Sequence, residues 1–241
     1  MQIIPVTINK EILPGDDIAE LLIDSFQIQE NDIVIIAQKI ISKQEGRIIE
    51  LNSIVPSLLS NGIGSQYSKD PRIIELILNE SKRIIRMNHG IIIVENKNGF
   101  ICANAGIDES NVKEGFVTLL PLDSDKSANI IKSEIFKKIK KNVGVIISDT
   151  FGRPFRMGQT NCAIGIAGIN PIIDYAGIKD THNRTLRITA IAIADEISSA
   201  GELVMQKATN TPIAILRDFS FDDNSYPITE LIRPENEDLF R

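Results

Sequence analysis

An apolar run at residues 143–147 leads directly into a polar motif at residues 148–160, and this succession constrains the fold more than any other segment. The run Val-Gly-Val-Ile-Ile is typical of a buried β-strand, which we expect to end near Ser148 at the edge of a sheet. The motif then offers a carboxylate, a hydroxyl and two guanidinium groups, at Asp149, Thr150, Arg153 and Arg156. Such groups suit a metal ion and phosphate oxygens, and they are rarely buried in an apolar core.

Each of these residues also has an ordinary structural interpretation. Asp149 could cap a turn or a helix instead of binding a metal. Arg153 or Arg156 could brace the turn at residues 152–154 instead of holding a carboxylate or a phosphate. The residues of this motif taken alone leave both interpretations open.

A second polar segment, residues 103–112, has the same character as the first. It follows the apolar residues Phe100 and Ile101 and contains Asp108 and Asn111. Alone, Asp108 would be a solvated loop acid. Two carboxylates that follow separate strands can converge on one divalent cation, and hard cations such as Mg²⁺ and Mn²⁺ take oxygen ligands. The two segments together therefore predict a shared metal and phosphate site.

Periodicity, capping and turn signals predict a mixed α/β fold. Strands are predicted at residues 32–41, 91–95, 100–104, 143–148, 162–168 and 212–216. Helices are predicted from Asp17 through Phe26, from Asp70 onward, from Ser124 to near Lys141, and over residues 189–207. The turn at residues 96–99 predicts a β-hairpin.

Charge and composition narrow the class of protein. The 241 residues carry a net charge of −6, which argues against nucleic acid as a partner. An acidic protein that binds anionic substrates must concentrate its cations locally or use a metal. The two cysteines are expected to be free thiols in a reducing compartment. Neither a signal peptide nor a membrane span is predicted, so the expected location is the cytoplasm.

Several common enzyme sites are missing from the sequence. It contains neither the P-loop pattern nor a G-x-G-x-x-G dinucleotide fingerprint, so a Rossmann or P-loop nucleotide site is not expected. Its two histidines, His89 and His182, make a Ser-His-Asp triad or a histidine-rich zinc site improbable. A nucleotide, if bound, would need a less common fold.

Five segments together resemble the coenzyme F420-0:gamma-glutamyl ligase family. The two polar segments contain the blocks ANAGIDESN and SDTFGRPFRMGQTNCAIGIAG, and the further matches lie at residues 14–21, 41–47 and 194–204. The resemblance extends from residue 3 to about residue 217. We therefore expect residues 1–217 to form one ligase domain of one or two lobes, and residues 218–241 to form an acidic C-terminal tail.

The resemblance implies a GTP-dependent ligase that adds L-glutamate to the lactyl carboxylate of F420-0 through an acyl phosphate. It also implies two Mg²⁺ or Mn²⁺ ions per site, stimulation by K⁺ and an intertwined homodimer. Charge and hydropathy are the grounds on which we expect no nucleic-acid or membrane partner. Two alternatives stay open. One is an amide ligase that acts on another carboxylate acceptor, and the other is a non-catalytic relative that binds a nucleotide or a deazaflavin.

The site residues follow from the matched motifs position by position. The implied metal ligands are Asp108, Asp149, Thr150 and Gln206. The implied nucleotide contacts are Asn9, Lys10, Glu11, Ile12, Gln38, Lys39, Lys43, Asn111, Met205, Gln206 and Lys207. Asp108, Asp149, Arg153 and Arg156 are the expected catalytic residues. Asn161 stands where the resemblance would place an aspartate.

Overall fold

A computed structural model describes residues 1–224 and 226–239, and it has the expected mixed α/β architecture. Its strands are β1 Gln2–Val6, β2 Ile33–Ala37, β3 Ile48–Glu50, β4 Ser81–Asn88, β5 Ile91–Asn96, β6 Ile101–Ala103, β7 Phe116–Thr118, β8 Gly144–Arg153, β9 Arg156–Ala167, β10 Ile173–Asp174, β11 Ala190–Ile191 and β12 Ile213–Arg217. Its α-helices are α1 Ile18–Ser25, α2 Gln38–Gln44, α3 Leu58–Tyr67, α4 Pro71–Asn79, α5 Ser124–Ile139 and α6 Ile193–Met205.

The main sheet has the strand order β1-β12-β2-β8-β9. Strands β2 and β8 run parallel, and the remaining neighbours are antiparallel. Strand β2 and the first part of β8, residues 144–147, are runs of buried apolar residues because both of their faces are covered. This sheet and the helices on it form the largest hydrophobic core of the described chain.

Helices α5 and α6 cover opposite faces of this sheet, and both approach it closely at a glycine. A Cβ at Gly201 of α6 would lie 3.0 Å from the Ile35 side chain of β2. A Cβ at Gly165 of β9 would lie 2.4–2.6 Å from Ser124, where α5 begins. Alternate strand residues point to opposite faces, and the register places Ile35 and Gly165 on different ones.

Residues 48–118 add smaller sheets and two further hydrophobic clusters. Strand β3 pairs with β7, and β4, β5 and β6 form an antiparallel sheet. The β5–β6 turn at residues 96–99 confirms the predicted hairpin, with the Asn96 side chain accepting from the Asn98 and Phe100 N–H groups. Helix α4 begins at Pro71, next to its predicted start, and the Asp70 side chain caps it by accepting from the Arg72 N–H.

Four predicted element boundaries were wrong. Strand β9 begins at Arg156 instead of residue 162, because it pairs with β8 along its whole polar half. The strand predicted over residues 32–41 stops at Ala37, and helix α2 begins at once, because short isoleucine-rich runs fit either structure. Strand β8 does not stop near Ser148, since pairing with β9 carries it on to Arg153. Helix α6 begins at Ile193 instead of residue 189, after the short strand β11.

The C-terminal segment lies against the main core. Ile228 is 6% exposed, and its N–H donates to Asp125 of α5 over 2.9 Å. Phe221 and Leu231 also pack on the core. The predicted tail ends at residues 240 and 241, which lie outside the described residues. In the described ranges we found no helix with the length and hydropathy of a membrane span.

Candidate active site

A cavity of about 1060 Å³ lies where β2 meets α2, beside the β8–β9 hairpin. The loop that follows β6 and the segment that follows α6 complete its wall. The predicted site residues that line it are Lys10, Glu11, Ile12, Gln38, Lys39, Lys43, Asn111, Asp108, Asp149, Thr150, Met205, Gln206 and Lys207. Asn9, Arg153 and Arg156 are not among its lining residues.

Asp108 reaches the cavity from a tight turn after β6. Gly106 in that turn has a φ of 75°, and a Cβ there would lie 2.6 Å from Leu120, so the turn requires glycine. Backbone hydrogen bonds in both directions then join Asp108 to Thr118. The turn and this short pairing fix where the Asp108 carboxylate stands.

The Asp108 carboxylate is paired with an ammonium group from α2. Lys39 Nζ lies 2.7 Å from Asp108 Oδ2 and also donates to the Ser110 backbone and hydroxyl oxygens. Burial by itself would raise the pKa of Asp108, but the hydrogen bonds from Lys39 and Ser110 outweigh it and lower that pKa. Asp108 is therefore ionised at neutral pH.

Asp149 and Thr150 lie within β8, at the level where it crosses the cavity. The pairing with β9 shifts register between Ile147 and Ser148, and such a bulge commonly re-aims side chains beside an active site. Beyond the bulge, Asp149 pairs with Cys162 and Thr150 pairs with Asn161. The two residues are thus held by strand pairing and not by a loop.

The charge environment of Asp149 favours a bound cation. Its pKa is raised to about 6, mainly by burial and secondly by the nearby Asp108 carboxylate. The Thr150 backbone N–H and the ammonium groups of Lys207 and Lys39 act in the opposite direction. A divalent cation close to both carboxylates would offset the burial and the repulsion together.

A hydrogen-bonded network joins Thr150 to β9 and α6. Its hydroxyl donates to Asn161 Oδ1 over 2.8 Å, and Lys207 Nζ donates to Thr150 Oγ1 over 2.8 Å. Asn161 Nδ2 donates to Glu202 Oε2 over 3.2 Å, and Lys207 forms an ion pair with Glu202 over 3.0 Å. Asn161 and Glu202 line the cavity as well.

A third ammonium group enters the cavity from the last turn of α2. The Lys43 side chain is only 10% exposed, and its Nζ lies 2.6 Å from Glu11 Oε1. Near the start of α2, Gln38 is buried and accepts a hydrogen bond from Ser42. Lys39 and Lys43 are therefore each paired with a carboxylate from a distant part of the sequence, whereas Lys207 is paired with the nearby Glu202 of α6.

The tip of the β8–β9 hairpin, residues 153–158, lies just beyond this cavity, whose lining ends at Gly152 and Gln159. Arg153 donates to the backbone carbonyls of Met157 and Gly158, so it braces its own turn, as its alternative interpretation proposed. Arg156 is exposed. Within this chain the structure therefore does not bring either arginine to Asp108 and Asp149, and their catalytic role stays a prediction.

The family model for F420-0:Gamma-glutamyl ligase matches residues 8–218. The chain belongs to this family. It is 43% identical to the Coenzyme F420:L-glutamate ligase of Methanothermobacter thermautotrophicus, over 94% of this chain and 93% of that protein. It is 39% identical to the enzyme of the same name from Methanopyrus kandleri, over 100% of this chain and 98% of that protein.

The cavity residues fit the divalent cations that the F420-0:gamma-glutamyl ligase resemblance implied. Asp108, Asp149 and Thr150 offer hard oxygen donors of the kind that Mg²⁺ and Mn²⁺ take. Among the described residues no group of three or more His, Cys, Asp or Glu side chains is arranged for a metal. Two carboxylates still suffice for Mg²⁺, since it usually combines one or two of them with water and substrate phosphates.

The cysteines near the ligase cavity do not compete for this role. Cys102 and Cys162 are free, as predicted. The pKa of Cys102 is raised to about 12 and that of Cys162 to about 11, in both cases mainly by burial. Both thiols are protonated at neutral pH, and a protonated thiol is neither a good metal ligand nor a nucleophile.

The residue motifs did not reveal the roles of Asn161 and Glu202, although both lie in segments that carry the resemblance. Asn161 was noted only as a departure from an expected aspartate. Glu202 follows Gly201, whose close contact with the sheet brings this turn of α6 to the cavity. Only the arrangement of β8, β9 and α6 brings the two side chains together.

Proposed function

We propose that this protein is a GTP-dependent ligase that forms an amide between L-glutamate and the lactyl carboxylate of F420-0, and that it can add a second, gamma-linked glutamate. The observation that carries the proposal is the cavity, which unites Asp108, Asp149 and Thr150 of the family motifs with three ammonium groups. The names of the related enzymes support ligation of glutamate to F420.

The proposed reaction has two steps, because a carboxylate and an amine do not condense unaided in water. A carboxylate oxygen of F420-0 attacks the γ-phosphorus of GTP, the bond to the β–γ bridging oxygen breaks, and GDP leaves. The glutamate nitrogen then attacks the carbonyl carbon of the acyl phosphate and loses a proton. Phosphate leaves, and the amide remains.

Phosphoryl transfer depends mainly on alignment and on neutralisation of charge, so cationic side chains carry much of the work. Lys39, Lys43 and Lys207 bind phosphate oxygens in this proposal, and each leaves its present carboxylate partner to do so. An ammonium group suits this task because it is a compact charge with three donors.

Asp108, Asp149 and Thr150, with Gln206 as a further ligand, would hold the Mg²⁺ or Mn²⁺ ions of the proposed enzyme. When bound, these ions would neutralise charge that develops on the phosphate oxygens. The remaining nucleotide contacts in the proposal come from residues 9–12, from Gln38, and from Asn111 and Met205. All of these except Asn9 line the cavity.

Cavity size and charge distribution both support this assignment. A volume of about 1060 Å³ is at the upper end of the usual range for ligand sites, which leaves room for a nucleotide beside a second substrate. The chain carries a net charge of −6, yet four lysines line this one cavity: Lys10, Lys39, Lys43 and Lys207. Stimulation by K⁺ and an intertwined homodimer remain part of the proposal.

Mass spectrometry of the reaction products tests the proposal. The purified protein is incubated with F420-0, GTP, L-glutamate and Mn²⁺, with each component omitted in turn and with Asp149→Asn as the matched inactive protein. We expect F420-0 to gain one or two glutamyl residues only in the complete mixture. Consumption of GTP without that product would indicate another acceptor, and nucleotide binding without turnover would indicate a non-catalytic relative.

A further inference from the structure

Asn161 is a buried polar residue to which the proposed reaction gives no role. It lies in β9 and is 4% exposed. Its side chain is hydrogen-bonded to Ser148 and Thr150 of β8 and to Glu202 of α6, over 3.1, 2.8 and 3.2 Å. Lys207 Nζ also lies 3.5 Å from the amide oxygen, so one amide contacts four residues of the cavity wall.

The bonding capacity of the neighbours fixes the orientation of this amide. The Glu202 carboxylate can only accept hydrogen bonds when ionised, so the NH₂ group of Asn161 must face it. The carbonyl oxygen of Asn161 must then face Thr150, and a carbonyl can only accept. The Thr150 hydroxyl therefore has to donate its single proton to Asn161.

Once this proton is committed to Asn161, the lone pairs of Thr150 Oγ1 are left for the cavity. Lys207 occupies that side, with Nζ 2.8 Å from Thr150 Oγ1 and 3.0 Å from Glu202. An ammonium group can only donate, so its presence there requires Thr150 to act as an acceptor. Lys207 thus marks a place in the cavity where a positive charge is stabilised.

We propose that Asn161, oriented by Glu202, is a positioning residue. It accepts the hydrogen bond that the Thr150 hydroxyl donates, so that the lone pairs of Oγ1 face a cation in the cavity. The inference rests on the proposed function, because that function places Thr150 among the ligands of the divalent cations. A threonine hydroxyl that donated into the cavity would repel a metal and would favour an anion instead. The direction of one proton therefore decides which charge this wall of the site binds.

A purely structural role for Asn161 makes a different prediction. Ser199 donates to the Asn161 backbone carbonyl over 2.8 Å, so β9 is tied to α6 without the side chain. If the amide only braces this contact, its removal lowers stability and leaves cation affinity unchanged. A positioning role instead requires that its effect on cation affinity pass through the Thr150 hydroxyl.

A double-mutant cycle on the full chain separates these roles. Binding of Mn²⁺ alone is measured by electron paramagnetic resonance of the free ion, for wild type, Asn161→Leu, Thr150→Val and the double variant. Partners behind a metal ligand typically contribute 10–100-fold in affinity, so we expect Asn161→Leu to weaken binding by about that factor. We expect Thr150→Val to weaken it similarly and the double variant to bind no worse than Thr150→Val.

Two results would overturn the inference: a wild-type protein that binds no Mn²⁺, or single-variant losses that multiply in the double variant. Thermal unfolding reports whether each variant is folded. If Asn161→Leu is not folded, Glu202→Gln replaces it. A glutamine at this position can itself donate a hydrogen bond, so it no longer fixes the orientation of the Asn161 amide. We then expect Glu202→Gln to weaken Mn²⁺ binding about tenfold in the wild-type background. In the Thr150→Val background we expect it to weaken binding less. An equal loss in both backgrounds would instead identify a general charge effect.

This experiment contains neither F420-0 nor GTP, so its outcome is independent of the acceptor. Failure of the glutamylation assay with an intact Mn²⁺ cycle would refute the proposed reaction and leave the positioning role in place. Glu196→Gln serves as the matched control, because it removes an exposed acid of α6 that does not line the cavity. A loss in Glu196→Gln equal to that in Glu202→Gln would contradict a specific role for Glu202.

Discussion

The two ends of the β8–β9 hairpin belong to one sequence motif but have different surroundings. At the cavity, Asp149, Thr150 and Asn161 are held by strand pairing and by side chains from α6. At the tip, Phe155 is 89% exposed and Met157 is 96% exposed. Arg153 contacts only the backbone of its own turn among the hydrogen bonds found in the described chain.

This difference shows that closeness in a motif does not imply closeness in a site. Four residues separate Asp149 from Arg153, and in an extended strand that distance is about 13 Å. At the cavity end, functional side chains from other segments lie beside Asp149 and Thr150. At the tip, Arg153 and Arg156 do not line the cavity. The effect of a substitution on activity or stability should therefore decrease along the hairpin from the cavity to the tip.

The largest effect is expected for Asp149→Asn. The change removes one of two carboxylates of the candidate metal site and almost no volume, so the fold should persist. Loss of a preorganised electrostatic contact typically costs about 10²–10³-fold in turnover. The rate of glutamylation at saturating Mn²⁺ measures it, with Glu109→Gln, an exposed acid outside the cavity, as the control. Near-normal activity of Asp149→Asn would remove this residue from the site.

The next largest effect is expected for Lys43→Ala. A hydrogen bond from a charged donor contributes about 1.5–3 kcal/mol, so the apparent KM for GTP should rise roughly 10–100-fold with a smaller change in kcat. Lys126→Ala is the matched control, because it removes an exposed ammonium group that does not line the cavity. We expect no rise in the KM of this control. An unchanged KM in Lys43→Ala would exclude a contact with the nucleotide.

The difference between the two ends of the hairpin can also be tested by the stability of alanine variants at two glycines, Gly165 and Gly152. A Cβ at Gly165 would lie 2.4–2.6 Å from Ser124, including its backbone atoms, whereas a Cβ at Gly152 would have no heavy atom within 4 Å. Gly165→Ala should lower the free energy of unfolding by about 1–3 kcal/mol through overpacking. Gly152→Ala should change it by less than about 0.5 kcal/mol. Equal urea midpoints for the two variants would contradict the described packing of the hairpin.

The smallest effect is expected at the tip. From the contacts in this chain, Arg153→Ala and Arg156→Ala should each change kcat/KM for GTP by less than about threefold, as surface substitutions generally do. Steady-state rates of both arginine variants, measured in parallel with those of Asp149→Asn, test this prediction. A loss as large as that of Asp149→Asn would mean that the tip reaches a site, either in this chain or in a second copy of it.

The convergence of Asp108 and Asp149 could be predicted from the sequence. Both follow apolar runs that end in polar motifs, and the structure places both at one cavity. Lys39 and Lys43 could be predicted as well, although the helix that carries them was taken for the end of a strand. A short isoleucine-rich run gives no periodicity that separates these two structures.

The ion pairs of the cavity could not be predicted. Lys39 lies 69 residues from Asp108, and Lys43 lies 32 residues from Glu11. No local pattern links residues so far apart, and an exposed lysine has the same signature as one in a cavity. The orientation of Asn161 depends likewise on Glu202, which lies on α6, a helix that packs against β9.

The sequence by itself determined the family, the mixed α/β class and the chemical types present at the site, because motifs and periodicity are properties of local sequence. The tertiary structure decided which of those groups meet. It joined Thr150 to Asn161 and Lys207, and it left Arg153 at the tip of the same hairpin. The physical reason is that charge and hydrogen-bond interactions act over a few ångströms in space, whatever the separation along the chain.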